Sequence, residues 1–267
     1  MTAIPVGLNL ASIGVDAGWW LDAARRTEDA GFDAAWIWDH FVSRGRLDDA
    51  VLEAWSTLAA AAPSVGRLRL GTLVTNVMNR HPAVLARIVA TVADVSAARI
   101  ELGIGIGGHP AEHQAYGIAF PPAKERAAHL EEAVAVLRHL FAGGPTDFEG
   151  RYYRLEGAHA FPVPDPPARI SIAGQTASGA RRAARLGDAW ICPAEELEAL
   201  RPAFEEGLGQ AGREARDVPI IVTIEVGDLG PDLRELTERW RARGAGEIVV
   251  HDVRPDQLSG VLALGAR

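Results

Sequence analysis

An acid and an imidazole, Asp39 and His40, directly follow a run of five apolar residues, Ala34 to Trp38. The run begins shortly after Gly31, which ends a stretch with helical periodicity. A helix that stops at a glycine and leads into a buried apolar run is typical of a parallel strand in a βα unit. Because ligand sites lie at the carboxyl ends of such strands, we expect His40 to line an active site. The alternative is a strand-end histidine that is bonded to Asp39 and to solvent.

A glycine-rich segment, Gly103 to Gly108, matches the G-x-G-x-x-G pattern of dinucleotide-binding folds. That kind of site requires the pattern at the first βα turn, and an acid at the end of the next strand. Here the pattern belongs to the fourth unit, and the acid about 20 residues further on, Glu125, lies in a predicted helix. We therefore interpret the segment as bare backbone that lets a flat or anionic ligand approach closely.

The residues that follow, His109 to His113, match the H-x-x-E-H pattern of some zinc enzymes. That pattern needs one continuous helix to present both histidines, whereas Pro110 after two glycines places His109 at or before a helix start. The strand ends also lack the spread of acidic ligands that zinc or magnesium barrels need. We predict no metal centre, and expect a loop over the site with Glu112 near the positive end of a helix.

A third candidate is the segment Gly174-Gln175-Thr176, which ends a predicted strand and opens a helix rich in arginine. The N–H groups at a helix start have no partner within the helix and bind anions readily, so one interpretation is a phosphate site. The other interpretation is an ordinary turn with a threonine or serine cap.

The elements that must position these residues alternate between short apolar runs and amphipathic stretches. Strands are predicted at 4–10, 34–38, 68–75, 99–106, 170–173, 189–192, 220–226 and 247–251, each followed by a helical pattern. Strict alternation indicates a parallel sheet with helices outside, and eight units close it into a barrel. We predict an α/β fold, a single-domain (β/α)8 TIM barrel over residues 1–267, with an extended segment at about 107–167 after the fourth strand.

Composition narrows the range of partners. The net charge of −8 argues against nucleic acid, because no basic field is present to displace counterions from phosphates. A single cysteine, Cys192, excludes an intrachain disulfide and is compatible with a reducing cytosol. The amino terminus has no basic segment followed by an apolar one, and no apolar run approaches the roughly 20 residues of a membrane span. We expect a cytoplasmic protein that acts on a small molecule.

A set of segments, in order, carries a family resemblance. They are 31–41, 68–75, 80–82, 99–105, 112–117, 148–153 and 183–190. Together they resemble the bacterial luciferase-like superfamily, specifically its coenzyme F420-dependent oxidoreductases, and the likeness extends over residues 4–192.

The resemblance implies a flavin-shaped cofactor, coenzyme F420 or alternatively FMN, over the carboxyl end of the barrel. His40 would donate or accept a proton beside the deazaflavin, and Asp39 would orient His40 or contact the ring. A non-prolyl cis peptide is implied at Leu73–Val74. The remaining cofactor contacts would come from Leu73, Val74, Thr75 and Asn76 around the ring, Gly105 and Gly107 along the tail, and Gly174, Gln175 and Thr176 at the phosphate.

The sequence departs from many relatives at Gly107-Gly108, where they have Gly-Trp. Three hypotheses follow from the resemblance: hydride transfer between the C5 atom of F420 and a small organic substrate, an FMN-dependent monooxygenase, and a non-catalytic flavin-binding barrel. The resemblance also suggests a homodimer.

Overall fold

The computed structural model describes residues 3–43, 48–97 and 99–265. In chain order its strands are β1 (Val6–Leu10), β2 (Ala34–Ile37), β3 (Arg69–Thr72), β4 (Thr75–Asn76), β5 (Ile100–Gly105), β6 (Thr146–Glu149), β7 (Arg154–Ala158), β8 (Arg169–Ala173), β9 (Ala189–Pro193), β10 (Ile220–Ile224) and β11 (Ala245–Val253). Its α-helices are α1 (Ala17–Asp29), α2 (Ala54–Ala61), α3 (Pro82–Val95), α4 (Pro110–Ala115), α5 (Ala123–Phe141), α6 (Ala177–Leu186), α7 (Leu197–Ala211), α8 (Leu233–Ala242) and α9 (Pro255–Gly265). Among the residues described, no helix is both long and apolar enough to cross a bilayer.

Eight of the strands form a closed parallel barrel. Their order around the barrel is β1, β2, β3, β5, β8, β9, β10 and β11, and β11 pairs with β1 to close the ring. Alternate residues of each strand point outward and pack with the helices, while the others fill the barrel interior. The predicted TIM barrel is therefore confirmed.

The third predicted strand is interrupted. It consists of β3, a cis peptide bond between Leu73 and Val74, and the two-residue strand β4. Its neighbour β5 packs very closely against it. A Cβ atom at Gly103 would lie only 2.0 Å from the carbonyl oxygen of Thr72, so only glycine fits there. The Thr72 hydroxyl also donates to the Gly103 carbonyl over 2.8 Å. The cis bond is the one that the resemblance implies.

Charged side chains fill the amino end of the barrel. Arg69 Nη1 lies 2.7 Å from Glu101 Oε2, and Arg69 also binds Glu247. Arg169 lies 3.6 Å from Glu101 and 3.8 Å from Glu247. Burial, with the nearby charge of Glu101, raises the pKa of Glu247 to about 7 even though the two arginines lower it. This end of the barrel is therefore packed with ion pairs and does not open into a pore.

Above this charged layer, the indole of Trp36 fills the barrel. A Cβ atom built on Gly7 of β1 would lie 2.7 Å from the indole nitrogen, and one built on Gly71 of β3 would lie 2.6 Å from the ring carbons. The two strands that flank Trp36 therefore need glycine opposite it, since a side chain at either position would occupy the volume of the indole.

The extended segment between β5 and β8 holds α4, α5 and an antiparallel hairpin of β6 and β7. Residues 150–153 form the turn of this hairpin, between the end of β6 and the start of β7. Glu132 of α5 accepts hydrogen bonds from the N–H groups of Arg151, Tyr152 and Tyr153 and so holds that turn against the helix.

Candidate active site at the carboxyl end of the barrel

His40 lies at the mouth of the barrel, three residues after β2 ends. Its ring stands edge-on to Trp38 and to His109, with ring centroids 6.0 Å and 6.1 Å away. Its side chain is 23% exposed, so that a ligand in the mouth can reach it. This is the location that the strand-end argument predicts.

A buried carboxylate, Glu112 of α4, holds the His40 ring. Glu112 Oε2 lies 2.8 Å from His40 Nδ1, and Oε1 accepts the backbone N–H of Phe41. Burial acts to raise the pKa of Glu112, but the hydrogen bonds from His40 and Phe41 outweigh it and lower the pKa. The carboxylate is therefore ionised and accepts a hydrogen from Nδ1, which leaves Nε2 as the ring nitrogen that can take or give a proton.

Asp39 does not orient His40, which corrects that expectation. Both of its carboxylate oxygens bind the Arg80 guanidinium, at 2.7 Å and 2.8 Å, and one of them also accepts the N–H of Asn76 and the amide of Asn79. Arg80 contacts Glu53 as well. Asp39 therefore fixes the loop after β4, and its charge is neutralised inside the protein.

Of the four residues expected around the ring, two face the barrel interior and two do not. Leu73 and Val74 belong to the apolar cluster at the top of the interior, beside Trp38. Thr75 is fully buried, and its hydroxyl donates to Thr72 and accepts from the Trp55 indole, so this hydroxyl is already hydrogen-bonded within the protein.

Asn76 is committed to contacts within the protein. Its amide lies 2.9 Å from His113 Nε2, and its carbonyl accepts the N–H of Met78. Gly107, at φ +76°, leaves room for this side chain, because a Cβ atom there would lie 2.5 Å from the Asn76 amide. Asn76 therefore requires glycine at position 107, and the contact of Gly107 with a cofactor tail stays a prediction.

Two other glycines at the mouth differ in their surroundings: Gly105 is closely packed, whereas the backbone at Gly108 is accessible. A Cβ atom on Gly105 would lie 3.0 Å from Val74, so that β5 packs closely on the residues after the cis bond. A Cβ atom on Gly108 would meet no atom of the described chain within 4 Å. The position where relatives carry tryptophan therefore opens onto space. Arg126 binds the carbonyl oxygens of Ile106 and Gly107 and holds this loop in place.

At the start of α6, residues 174–176 form a turn with a threonine cap, which is one of the two interpretations of this segment from the sequence. Thr176 Oγ1 accepts the Gly179 N–H over 3.1 Å, and a Cβ atom on Gly174 would lie 2.5 Å from the Gly179 carbonyl carbon. Gln175 and Thr176 are exposed. The arginines of α6 are paired with acids of neighbouring helices, Arg181 with Glu206 and both Arg182 and Arg185 with Glu131.

The H-x-x-E-H histidines are separated, as the sequence predicts. His113 is buried, and its Nε2 lies near Asn76 and Asn79. His109 instead lies just before α4 and turns towards Glu112, with 3.4 Å between Nδ1 and Oε2.

The opposite side of the mouth is formed by β1, β10 and β11. His251 stacks at a tilt on Trp38, with centroids 5.0 Å apart, and its Nδ1 lies 3.3 Å from Glu225. Asn9 Oδ1 accepts the N–H of Asp252. Its Nδ2 is buried and has no hydrogen-bond partner among the described residues.

Sequence reasoning missed two features of this site: the bond between Glu112 and His40, and the neutralisation of Asp39 by Arg80. The pairs are 72 and 41 residues apart, so spacing gives no sign of either. The alternation along β2 was a usable signal for the direction of the His40 side chain. Trp36 and Trp38 face the barrel interior, and His40 is two residues further on, so it should face the same side.

A model of the luciferase-like monooxygenase family matches residues 10–227. An F420-dependent glucose-6-phosphate dehydrogenase from Beutenbergia cavernae is 34% identical over 224 residues, which cover 82% of this chain and 66% of that protein. A protein of the same name from Mycobacterium tuberculosis is 35% identical over 221 residues, which cover 80% and 66%. The chain thus spans about two thirds of the length of these relatives.

Among solved structures, an F420-dependent secondary alcohol dehydrogenase in complex with an F420–acetone adduct matches with a TM-score of 0.85. The two chains are 22% identical, and the match covers 100% of each, which shows a common fold. The family model and the two relatives agree with the fold, and the chain belongs to the luciferase-like monooxygenase family.

Proposed function

We propose that the chain is a coenzyme F420-dependent oxidoreductase that moves a hydride between the deazaflavin and the carbon of a small alcohol or carbonyl compound. The observation that carries the proposal is the His40–Glu112 pair at the barrel mouth, which provides a proton acceptor on Nε2 beside an apolar wall. The names of the relatives supply the cofactor class. Bound F420 would accept or donate the hydride at its C5 atom.

The residues at the mouth fit a flat ring that carries carbonyl groups. Leu73 and Val74 present an apolar face beside Trp38. The buried Asn9 Nδ2 is a donor without a partner among the described residues, and such a group can donate a hydrogen bond to a ligand carbonyl. The backbone at Gly108 opens onto space. We propose that these residues hold the ring, with Gly105 close to it and with Gly174, Gln175 and Thr176 near the phosphate.

In the oxidation direction, His40 Nε2 takes the proton of the substrate hydroxyl while the hydride leaves the carbon that carries this hydroxyl. Glu112 keeps the ring oriented and stabilises the imidazolium that forms, since its carboxylate already binds Nδ1. In reduction, the imidazolium returns the proton to the new alkoxide. Asp39 contributes indirectly, because it fixes the 76–80 loop beside the site.

Titration of the purified chain with F420 and with FMN, each followed by fluorescence, tests the cofactor. We expect binding of F420 and turnover of an alcohol panel. His40→Ala should keep F420 binding and lose at least about 10²-fold in turnover, the scale of general acid–base help. His159→Ala, at an exposed histidine after β7, is the matched control. Wild-type turnover in His40→Ala would remove His40 from the mechanism.

The other hypotheses give different outcomes in the same experiment. Binding of FMN with no binding of F420 would favour the monooxygenase, in line with the description of the family model. Binding of F420 with no turnover of any alcohol or carbonyl compound would favour a non-catalytic barrel.

We propose further that residues 1–267 act as one domain, with the insertion at about 107–167, in a cytoplasmic homodimer. An open depression of about 750 Å³ lies between α2 and α3 and is lined in part by Trp55, Ile88 and Val92. On α3, Val84 and Val95 are 54% and 50% exposed. This apolar surface supports burial against a second copy. A monomeric mass in light scattering of the purified chain would contradict the dimer.

A further inference from the structure

Three side chains at the barrel mouth bring metal-binding atoms together. His40, His109 and Glu112 each offer one such atom, and the three atoms lie within 4.8 Å of one another. His40 comes from the segment after β2, whereas His109 and Glu112 come from the start of α4. The cluster is thus made of two imidazoles and a carboxylate, a ligand set that zinc enzymes use in open sites.

Distances within the cluster are close to those of a coordinated cation. Glu112 Oε2 lies 2.8 Å from His40 Nδ1 and 3.4 Å from His109 Nδ1. Ligands about 2.0–2.2 Å from a tetrahedral zinc ion are roughly 3.3 Å from each other. Small rotations of the two imidazoles therefore suffice to admit an ion.

His109 has no other use for its ring nitrogen in the described structure. Its Nδ1 is buried and has no hydrogen-bond partner among the described residues, and Glu112 Oε2 lies 3.4 Å from it. The carboxylate is already oriented by the Phe41 N–H on its other oxygen, which is the kind of support that metal ligands need.

The cluster has an open side. The His40 and His109 side chains are 23% and 25% exposed, whereas Glu112 is 2% exposed. An ion bound to the buried carboxylate and the two partly exposed imidazoles would therefore keep a position for water or an anion on its exposed side. Such a position is what distinguishes an open zinc site from a structural one.

We propose that His40, His109 and Glu112 bind a divalent cation of the zinc type, and that this ion and proton transfer by His40 exclude each other. The ion would bind His40 Nδ1 and Glu112 Oε2, the two atoms that otherwise share a hydrogen. With Nδ1 bound to the ion, the neutral imidazole carries its hydrogen on Nε2, which then cannot accept a proton. Zinc is then a reversible inhibitor of the oxidoreductase. The binding step stands independently, and only the inhibition rests on the proposed function.

Cobalt titration of the chelator-treated, cofactor-free chain tests the binding step. Co²⁺ in a site of low coordination number absorbs in the visible range, and we expect saturable bands at one equivalent that Zn²⁺ abolishes. His109→Ala and His109→Gln should each weaken Co²⁺ binding at least about 10²-fold, beyond the 10- to 100-fold typical of losing a supporting residue. His159→Ala should bind like the wild type. Circular dichroism of both His109 variants checks that they fold.

Two results would overturn the site: no saturable binding of Co²⁺ to the wild type, or wild-type affinity in both folded His109 variants. In the activity arm, Zn²⁺ should inhibit F420-dependent turnover and a chelator should restore it. The folded His109 variants, whatever their own rate, should need at least about 10²-fold more Zn²⁺ for half inhibition. If the chain shows no F420-dependent turnover, the proposed function fails while the cobalt result still decides the site.

Discussion

Replacing Glu112 by glutamine tests whether the charge on this residue makes His40 competent to accept a proton. The variant keeps one carbonyl oxygen for the Phe41 N–H, and the atom beside His40 Nδ1 becomes an NH₂ group. That group donates, so Nδ1 must accept and the imidazole must carry its hydrogen on Nε2. In that tautomer Nε2 has no lone pair with which to take the substrate proton.

The size of the effect follows from two losses. A hydrogen bond to a charged group contributes about 1.5–3 kcal/mol, and the bond to Glu112 strengthens as His40 becomes an imidazolium. Lost in the transition state, this corresponds to a roughly 10- to 100-fold lower rate. The wrong tautomer adds to it, and the corresponding change in catalytic triads costs about 10⁴-fold. We expect kcat to fall between about 10²- and 10⁴-fold.

Steady-state turnover at saturating F420 measures this fall, and fluorescence titration should show F420 binding little changed. Glu156→Gln, at a carboxylate of β7 that is 76% exposed, is the matched control and should behave like the wild type. A Glu112→Gln variant that folds, binds F420 and keeps kcat within about tenfold of the wild type would refute the role of the carboxylate.

Two further predictions concern the barrel interior. Gly71→Ala should lower the free energy of unfolding by about 1–3 kcal/mol, because its Cβ would lie 2.6 Å from the indole of Trp36, whereas Gly108→Ala should cost little; urea denaturation compares the two. The pKa of Glu247, raised to about 7 by burial, exceeds its ordinary value of 4.5, so a proton on this group stabilises the fold. The stabilisation by protonated Glu247 is therefore complete below about pH 4.5 and is lost as the pH rises through about 7. Relative to Glu247→Gln, the wild type should lose about 3 kcal/mol over that range, and a constant difference would contradict the raised pKa.

The barrel could be predicted because each of its units is encoded locally. Gly31, for example, adopts φ +91° at the end of α1, as a helix-ending glycine should, and the apolar run after it is β2. The break between β3 and β4 had no such local signal in the apolar pattern. At this break Gly103 of another strand packs closely against Thr72, and only the family resemblance indicated the cis bond.

The hairpin shows the same limit on a smaller scale. Aromatic residues at 148–153 suggest strand, yet residues 150–153 form the turn, where Glu132 on α5 accepts the N–H groups of residues 151–153. A carboxylate some 20 residues away thus decides where the strands end. Strand propensity describes how a residue packs on a sheet surface, and here that surface was set by a helix.

In the candidate site, the position of a polar residue was predictable and its bonding partner was not. His40 could be placed at the mouth because it follows a strand. Its carboxylate partner could not be identified, because Asp39 is adjacent in sequence and Glu112 is 72 residues away. Adjacent residues in an extended segment point in opposite directions, so adjacency argues against a side-chain contact between Asp39 and His40.

The same alternation explains why the two acids have different roles. Trp36 lies in the cluster that fills the barrel, and Ile37 lies in the cluster between the barrel and the helices. Continued past the strand, this register turns Asp39 towards the helix side, where Arg80 binds it, and turns His40 towards the mouth, where Glu112 meets it. One acid therefore fixes a loop and the other tunes an imidazole. Asp39→Asn should accordingly act mainly on folding, whereas Glu112→Gln should act mainly on kcat.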